Sequence, residues 1–444
     1  MKLNKKEDLF KPIREIWENI EYKNMVSYNE QNALLQENKI ITRFNSHIDS
    51  GLFHSITNYD NMNLSLCIGL NKNESYEYYT NNLKQDYLLY GIKSLEYDLD
   101  LLVKIIYQLY YFRTSFQSKQ DVVDYISNNL KNILINSDLS LPLSSHSKMN
   151  VNVLILVSRR ANLKIMNESN ENHTIYMPND INEKYIISSL FFCKTSIDFL
   201  QKQDFDKYFS IEFNNSKLNF EKYESFLRNN IDVKNRSKFM LYSSVVLYLL
   251  GSRKANDIDL YIHNIPDEIK DKTNIFQTEE YNFIDYSIKG TDNWPTHWNQ
   301  WLDEWAKLSN AKYFEEILGN DQFHFYFLGV KIISLECDIA RRIKRLRPAA
   351  MADLIILKER FHCPITIPSI PDNIVKYKKM SELSDKENQK CLEKNTEYNS
   401  DTREYIFEVK NDKNRFTNTM NNYLKERYNY TTSAKKMIKI KIRK

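Results

Sequence analysis

The sequence predicts an α+β protein. A mixed sheet with flanking helices is expected over residues 216–362. A separate N-terminal α/β domain covers 1–215, and a polar linker with a basic tail fills 363–444. Three observations predict this. A chain of 444 residues is long enough for two or three domains. Apolar runs of strand length are interspersed with segments whose apolar residues recur at helical spacing. Glycine and proline, 7 and 9 in number, are too few for a low-complexity or collagen-like chain.

Apolar residues make up 42% of the chain and aromatics 13%, so Tyr and Phe supply much of the buriable area. The 62 Lys and Arg against 58 Asp and Glu leave a net charge of only +4. No global field therefore announces a nucleic-acid binder, although a local basic surface still can. Cys67, Cys193, Cys337, Cys363 and Cys391 are scattered and odd in number, with no Cys-x-x-Cys pair. That pattern predicts a reducing compartment and excludes a thiolate zinc cluster. No window holds eighteen apolar residues without charge, so no membrane span is expected. Met1 to Glu7 lacks the following apolar region of a secretory signal.

Residues 1–45 read as mostly helical, with Pro12 in a first turn and Ile13, Ile16 or Trp17, and Ile20 at helical spacing. Met62 to Leu70 reads as a strand. Ile92 to Phe112 reads as a helix carrying Leu95, Leu99, Leu102, Ile105 and Leu109, and a second helix runs from about Lys119 to Ile135. Val151 to Val157 is a buried strand, and Tyr185 to Leu200 is a mixed segment. Nothing in the first 200 residues forms a catalytic constellation. Support, dimerisation and substrate holding all remain open for them, a homodimer included.

Phe220 to Asn229 reads as helical, and Ser237 to Leu250 as an apolar helix that delivers the chain to Gly251. Trp294, Trp298, Trp301 and Trp305 form a helical stripe best read as core. Phe323 to Leu335 suggests a β-hairpin turning near Gly329. A basic helical stretch, Arg341 to Arg347, is followed by Pro348 and a further helix, 349–359. Pro364, Pro368 and Pro371 make the chain turn, and residues 376–403 read as a polar linker. Lys435 to Lys444 largely alternates basic and apolar residues, as an edge strand or an RNA-touching tail would.

Function concentrates in Leu249-Leu250-Gly251-Ser252-Arg253-Lys254-Ala255-Asn256-Asp257-Ile258-Asp259-Leu260-Tyr261-Ile262. The pattern is an apolar helix end, a Gly-Ser turn and a strand with two carboxylates two positions apart. Side chains alternate along a strand, so Asp257 and Asp259 share one face while Ile258 and Leu260 enter a core. Two neighbouring carboxylates repel unless a cation sits between them, and oxygen ligands suit Mg2+ or Mn2+. Gly251 allows backbone N–H groups to approach a phosphate, and Ser252 adds a hydroxyl donor. Arg253 and Lys254 either counter phosphate charge or are solvated. Such a pair beside such a turn suits metal-assisted phosphoryl or nucleotidyl transfer. The bland reading is a chance Asp-x-Asp on a charged surface.

A third carboxylate commonly completes such a site. Asp285, in Tyr281-Asn282-Phe283-Ile284-Asp285-Tyr286-Ser287-Ile288-Lys289, sits on an alternating strand pattern and is the preferred candidate. Glu336 and Asp338 are the others, although acids at the start of a helix also serve as dipole partners. The five cations at 341, 342, 344, 345 and 347 suit a triphosphate or a polynucleotide backbone, or else a solvated helix face.

Gly251-Ser252 before Asp257-Ile258-Asp259 resembles the signature of the polymerase-beta-like nucleotidyltransferases. Residues 237–360 are more specifically similar to the poly(A) polymerase catalytic subunits of large cytoplasmic DNA viruses. Besides that signature, the similarity rests on Asp285 to Gly290, the hairpin ending in Ser334-Leu335, and the Arg-rich helix with Arg347-Pro348. The resemblance implies a nucleotidyltransferase-type sheet, with Asp257, Asp259 and Asp285 as catalytic metal ligands for Mg2+ or Mn2+. It implies a nucleotide site at Gly251, Ser252 and Lys254, with Arg342 or Arg345 facing the triphosphate and Asp353 structural or paired with the patch. The implied reaction transfers AMP from ATP to the 3′ end of single-stranded RNA, without template, in the cytoplasm, a virus factory or a virion. A small molecule, a protein or a tRNA as acceptor stays open, as does an inactive RNA-binding or structural subunit.

Overall fold

The structure is a computed structural model. It describes residues 64–69, 87–129, 149–158, 175–176, 178, 180–210, 214–255, 258–262, 317, 320–379, 397–399 and 404–430. Asp257, Asp285, the tryptophan stripe, the N-terminal helix expected over 1–45 and the tail from Lys435 lie outside them. The element order begins with β1 (Leu64–Gly69), β2 (Tyr87–Tyr97), α1 (Leu99–Tyr110), α2 (Lys119–Asn129), β3 (Met149–Ser158) and β4 (Ile175–Tyr176). Helices follow: α3 (Ile181–Phe191), α4 (Lys194–Lys202), α5 (Phe205–Tyr208), α6 (Asn214–Asn230) and α7 (Val233–Arg236). The chain continues through β5 (Phe239–Tyr242), α8 (Ser244–Leu249), β6 (Asp259–Ile262), β7 (His324–Phe327) and β8 (Val330–Ile333). It ends with α9 (Leu335–Arg345), α10 (Pro348–Phe361), β9 (Asn373–Lys379), β10 (Glu397–Asn399), β11 (Glu404–Lys410) and α11 (Lys413–Tyr428).

The architecture is mixed α+β, with helices flanking small sheets, and it divides into two compact units. The first takes its described residues from 1–214, 220–237 and 324–332, the second from 215–219, 238–323 and 333–444. The described residues of 363–444 thus fall in the second unit, while 220–237 and 324–332 of the expected 216–362 domain fall in the first. No helix among the described residues is long and apolar enough to cross a membrane.

In the first unit, β3 is the centre of an antiparallel sheet of order β2-β3-β1-β4. Its sequence, Met-Asn-Val-Asn-Val-Leu-Ile-Leu-Val-Ser, is rich in the β-branched residues that suit a paired strand. The helix expected from Ile92 instead begins at Leu99. Residues 92–97 belong to β2, paired with β3 from Leu154 to Met149. Asp98 marks the change, because its Oδ1 accepts from Leu101 N–H at 2.8 Å as an N-cap.

α1 buries Leu102, Ile105 and Ile106 completely. Tyr107 on the same helix has the rings of Phe205, Phe209, Tyr208, Phe116 and Phe327 within 5.2–6.2 Å of its own. Lys104, 1% exposed, donates to Leu200 O and Gln203 O at 2.8 Å each, which satisfies a charge that burial would otherwise penalise.

The β7–β8 hairpin turns through Leu328 and Gly329, as expected. Both have positive φ, 52° and 74°, the requirement of a two-residue hairpin whose twist matches its strands. A Cβ built on Gly329 would lie 3.0 Å from Ile186 Cγ1 and 3.2 Å from Tyr185 Cδ1. Gly329→Ala is therefore expected to cost about 1–3 kcal/mol, from the left-handed conformation and the crowding together. Urea unfolding of the variant beside wild type reads this; an unchanged midpoint would show that the turn relaxes freely.

In the second unit, β5 and β6 pair antiparallel, from Phe239 opposite Ile262 to Tyr242 opposite Asp259. The single helix expected over 237–250 is thus a strand and a short helix. Ser243, at φ 70°, turns one into the other. α9 starts at the Ser334 cap, whose Oγ accepts from Cys337 N–H at 3.2 Å, and α10 starts at Pro348, where a missing N–H costs nothing. α11 lays Phe416, Met420, Leu424 and Tyr428, one residue per turn, against Met351, Ala352, Ile355 and Ile356 of α10. The supposed linker holds β9 and β10, which flank β11 in a second antiparallel sheet.

Candidate functional site

The turn after α8 has a definite hydrogen-bond pattern. Gly251 N–H donates to Tyr248 O at 2.9 Å and Ser252 N–H donates to Leu247 O at 2.8 Å. With Gly251 at φ 80°, this is the paired capping arrangement that ends a helix on a left-handed glycine. The Gly251 and Ser252 amides are therefore consumed in capping. What the turn leaves over is the Ser252 hydroxyl. Ser252 is 6% exposed, and its Oγ has no hydrogen-bond partner among the described residues. A buried hydroxyl in that condition costs about 1–3 kcal/mol unless something else binds it.

Beyond the turn, Ile258 and Leu260 are each 2% exposed and Asp259 between them is half-buried, as alternation on β6 requires. Asp259 begins the strand, which presents one carboxylate of the expected pair on the face away from that core. Lys254 is exposed. Among the described residues, no three His, Cys, Asp or Glu side chains cluster as metal ligands; Asp257 and Asp285 lie outside them.

The remaining candidates divide. Asp338 is fully buried, with Oδ1 accepting from Arg341 Nε and Nη2 at 3.1 Å and Oδ2 from Arg342 Nε at 2.7 Å. Both of its oxygens are taken up by guanidinium groups of α9. Glu336 is exposed in the first turn of α9. Arg342, expected to face the triphosphate, is 4% exposed and donates to Asp338, to Asp353 and, at 3.1 Å, to Ser243 O. Within the basic stretch, Lys344 and Arg347 are exposed, and Arg345 closes α9.

Arg253, read from sequence as phosphate-countering or solvated, is neither. It is buried and forks onto Asp353, Nε to Oδ1 at 3.0 Å and Nη2 to Oδ2 at 3.3 Å, while Nη1 donates to Lys254 O at 2.8 Å. Asp353 also accepts from Arg342 Nη1 and from the Tyr428 hydroxyl. Burial works against its charge, but Arg342 and Arg253 outweigh it and, with the Tyr428 hydrogen bond, hold the carboxyl below the usual range. Burial also opposes the Arg253 charge, and Asp353 more than restores it. The resemblance had left Asp353 as structural or paired with the basic stretch, and it is the hub of this network. Its link to Tyr428, 75 residues along the chain, leaves no mark in the sequence.

No protein-family model, curated protein or solved structure matches this chain.

Proposed function

We propose that the chain is a metal-dependent nucleotidyltransferase, and that it adds AMP from ATP to the 3′ end of single-stranded RNA in the cytoplasm. The observation that carries the nucleotide site is the buried Ser252 hydroxyl, which has no hydrogen-bond partner among the described residues, on the turn seven residues before Asp259. A phosphate oxygen would be an acceptor for such a donor, and Lys254, two residues on, adds solvent-facing positive charge. The choice of ATP and of RNA rests on the similarity of residues 237–360 described above.

In the proposed reaction the RNA 3′ oxygen forms a bond to the α-phosphorus, the bond to pyrophosphate breaks, and the hydroxyl proton leaves to a base or to water. Asp257 and Asp259 would hold the divalent ion, with Asp285 as the third ligand. The Asp259 carboxylate lies on the strand face opposite Ile258 and Leu260, and oxygen ligands of this kind suit Mg2+ or Mn2+. Such an ion supplies Lewis-acid stabilisation of phosphoryl charge and activation of the attacking oxygen. The chain's own residues orient the nucleotide: Ser252 by donating to a phosphate oxygen, and Lys254 by countering its charge.

Ser252→Ala separates the functional role from a packing role. Removing a buried hydroxyl with no partner is expected to leave the thermal midpoint unchanged or raise it. ATP binding in Mg2+ should weaken roughly tenfold, the worth of one hydrogen bond to a charged group. Calorimetric titration of the full chain with ATP, beside a thermal scan, reads both. Unchanged ATP affinity would remove the turn from the nucleotide site.

A further inference from the structure

The segment from Ser243 to Lys254 combines two features that need support. Ser243 holds a positive φ of 70°, uncommon for a residue other than glycine, and the turn at Gly251–Ser252 keeps a polar side chain buried without a partner among the described residues. Both ends of this segment are tied, directly or through one arginine, to the same carboxylate. At the start, Arg342 Nη2 donates to Ser243 O at 3.1 Å while its Nη1 sits on Asp353. At the end, Arg253 forks onto Asp353 and donates to Lys254 O at 2.8 Å. The fourth donor on Asp353 comes from the last residue of α11, the Tyr428 hydroxyl. That hydroxyl is carried there by the apolar seam between α10 and α11.

We propose that Asp353 is a positioning residue for the nucleotide site, holding the Ser243–Lys254 segment at both ends through Arg342 and Arg253, with Tyr428 fixing the carboxylate. This rests on the reading of Ser252 as a phosphate contact. A carboxylate with both oxygens engaged by one planar guanidinium fork, as Arg253 engages Asp353, fixes direction as well as charge, which a single lysine contact does not. Docking of α11 is thereby coupled to the geometry of the turn. Asp353 touches neither nucleotide nor metal in this arrangement.

The test uses the full chain and two mild variants. Tyr428→Phe deletes one hydroxyl from Asp353 and keeps the ring in its seam. Arg253→Lys keeps the charge and loses the fork. The probes are ATP with Mg2+ and a single-stranded RNA oligonucleotide, each by equilibrium binding, together with hydrogen exchange across residues 243–255 and the thermal midpoint. The expected result for both variants is ATP binding weaker by roughly three- to tenfold, faster exchange across the segment and unchanged RNA binding. A merely structural network would lower the midpoint and leave the ATP affinity of the folded fraction untouched, and that outcome overturns the proposal. If Arg253→Lys does not fold, Tyr428→Phe decides alone. Failure of wild type to bind ATP would overturn the nucleotide reading itself, and the proposal with it. The two failures are distinct, since one appears in wild type and the other only in the variants.

Discussion

Asp353→Ala lowers the unfolding free energy of the second unit by about 3–5 kcal/mol, because it leaves two buried guanidinium groups without their shared carboxylate. Arg253 and Arg342 are 9% and 4% exposed, so water replaces little of what is lost. Against a typical total of about 5–15 kcal/mol, that is a large fraction of the stability. The pH dependence follows from the direction of the Asp353 shift. Its carboxyl is held below the usual range in the folded protein, so the stability it contributes is present above the unfolded value, about 4. This contribution is lost as pH falls through the folded value. Asp353→Asn is therefore less stable than wild type at pH 7, and the gap narrows on acidification below about pH 4. Urea titrations at pH 7 and pH 3 measure it. A gap that stays constant, or widens in acid, would mean that Asp353 is not the charged hub of the network.

Asp257→Ala abolishes metal-dependent nucleotide transfer. The expected loss is roughly a thousandfold or more, since a bound ion supplies several kcal/mol to the transition state and each factor of ten is worth about 1.4 kcal/mol. The fold should survive, because removing one of two neighbouring carboxylates relieves repulsion. Initial rates with Mg2+ and Mn2+, beside a thermal scan, test this. A variant that keeps its activity would place the metal elsewhere.

Much of the fold was legible where one period dominated. The β-branched run of β3 and the apolar run of β1 read as strands, and the hairpin was marked by Gly329, whose left-handed conformation and lack of a Cβ the turn requires. The misread starts lie where two periods overlapped. Leu95 fits the helical series that continues through Leu99 and Leu102, and so drew residues 92–97 into α1. The signal that resolved it was present in Asp98, a capping residue. Ser237 to Leu250 failed for a different reason. Its apolar residues run without interruption, so periodicity cannot separate a buried strand from a buried helix, and no sequence rule flags Ser243 as a left-handed residue.

The site was legible only in part. Gly251 was correctly seen as the end of a helix, and that role uses up its own amide and that of Ser252. The hydroxyl of Ser252 is what remains. Arg341, Arg342 and Arg253 looked like surface cations because a sequence counts charges and does not show their partners. Asp338 and Asp353 bury all three. The convergence of Arg253, Arg342 and Tyr428 on Asp353 joins residues 100, 11 and 75 positions away from it, a relation that only the folded chain displays.

Incorporation of each labelled NTP onto a single-stranded RNA primer, in Mg2+ or Mn2+, tests the central proposal most directly, with wild type run beside Asp257→Ala. The expected result is long tails from ATP alone with the wild-type chain and none with the variant. No extension from any nucleotide would contradict RNA adenylylation and turn attention to a small-molecule or protein acceptor, or to a subunit without catalysis.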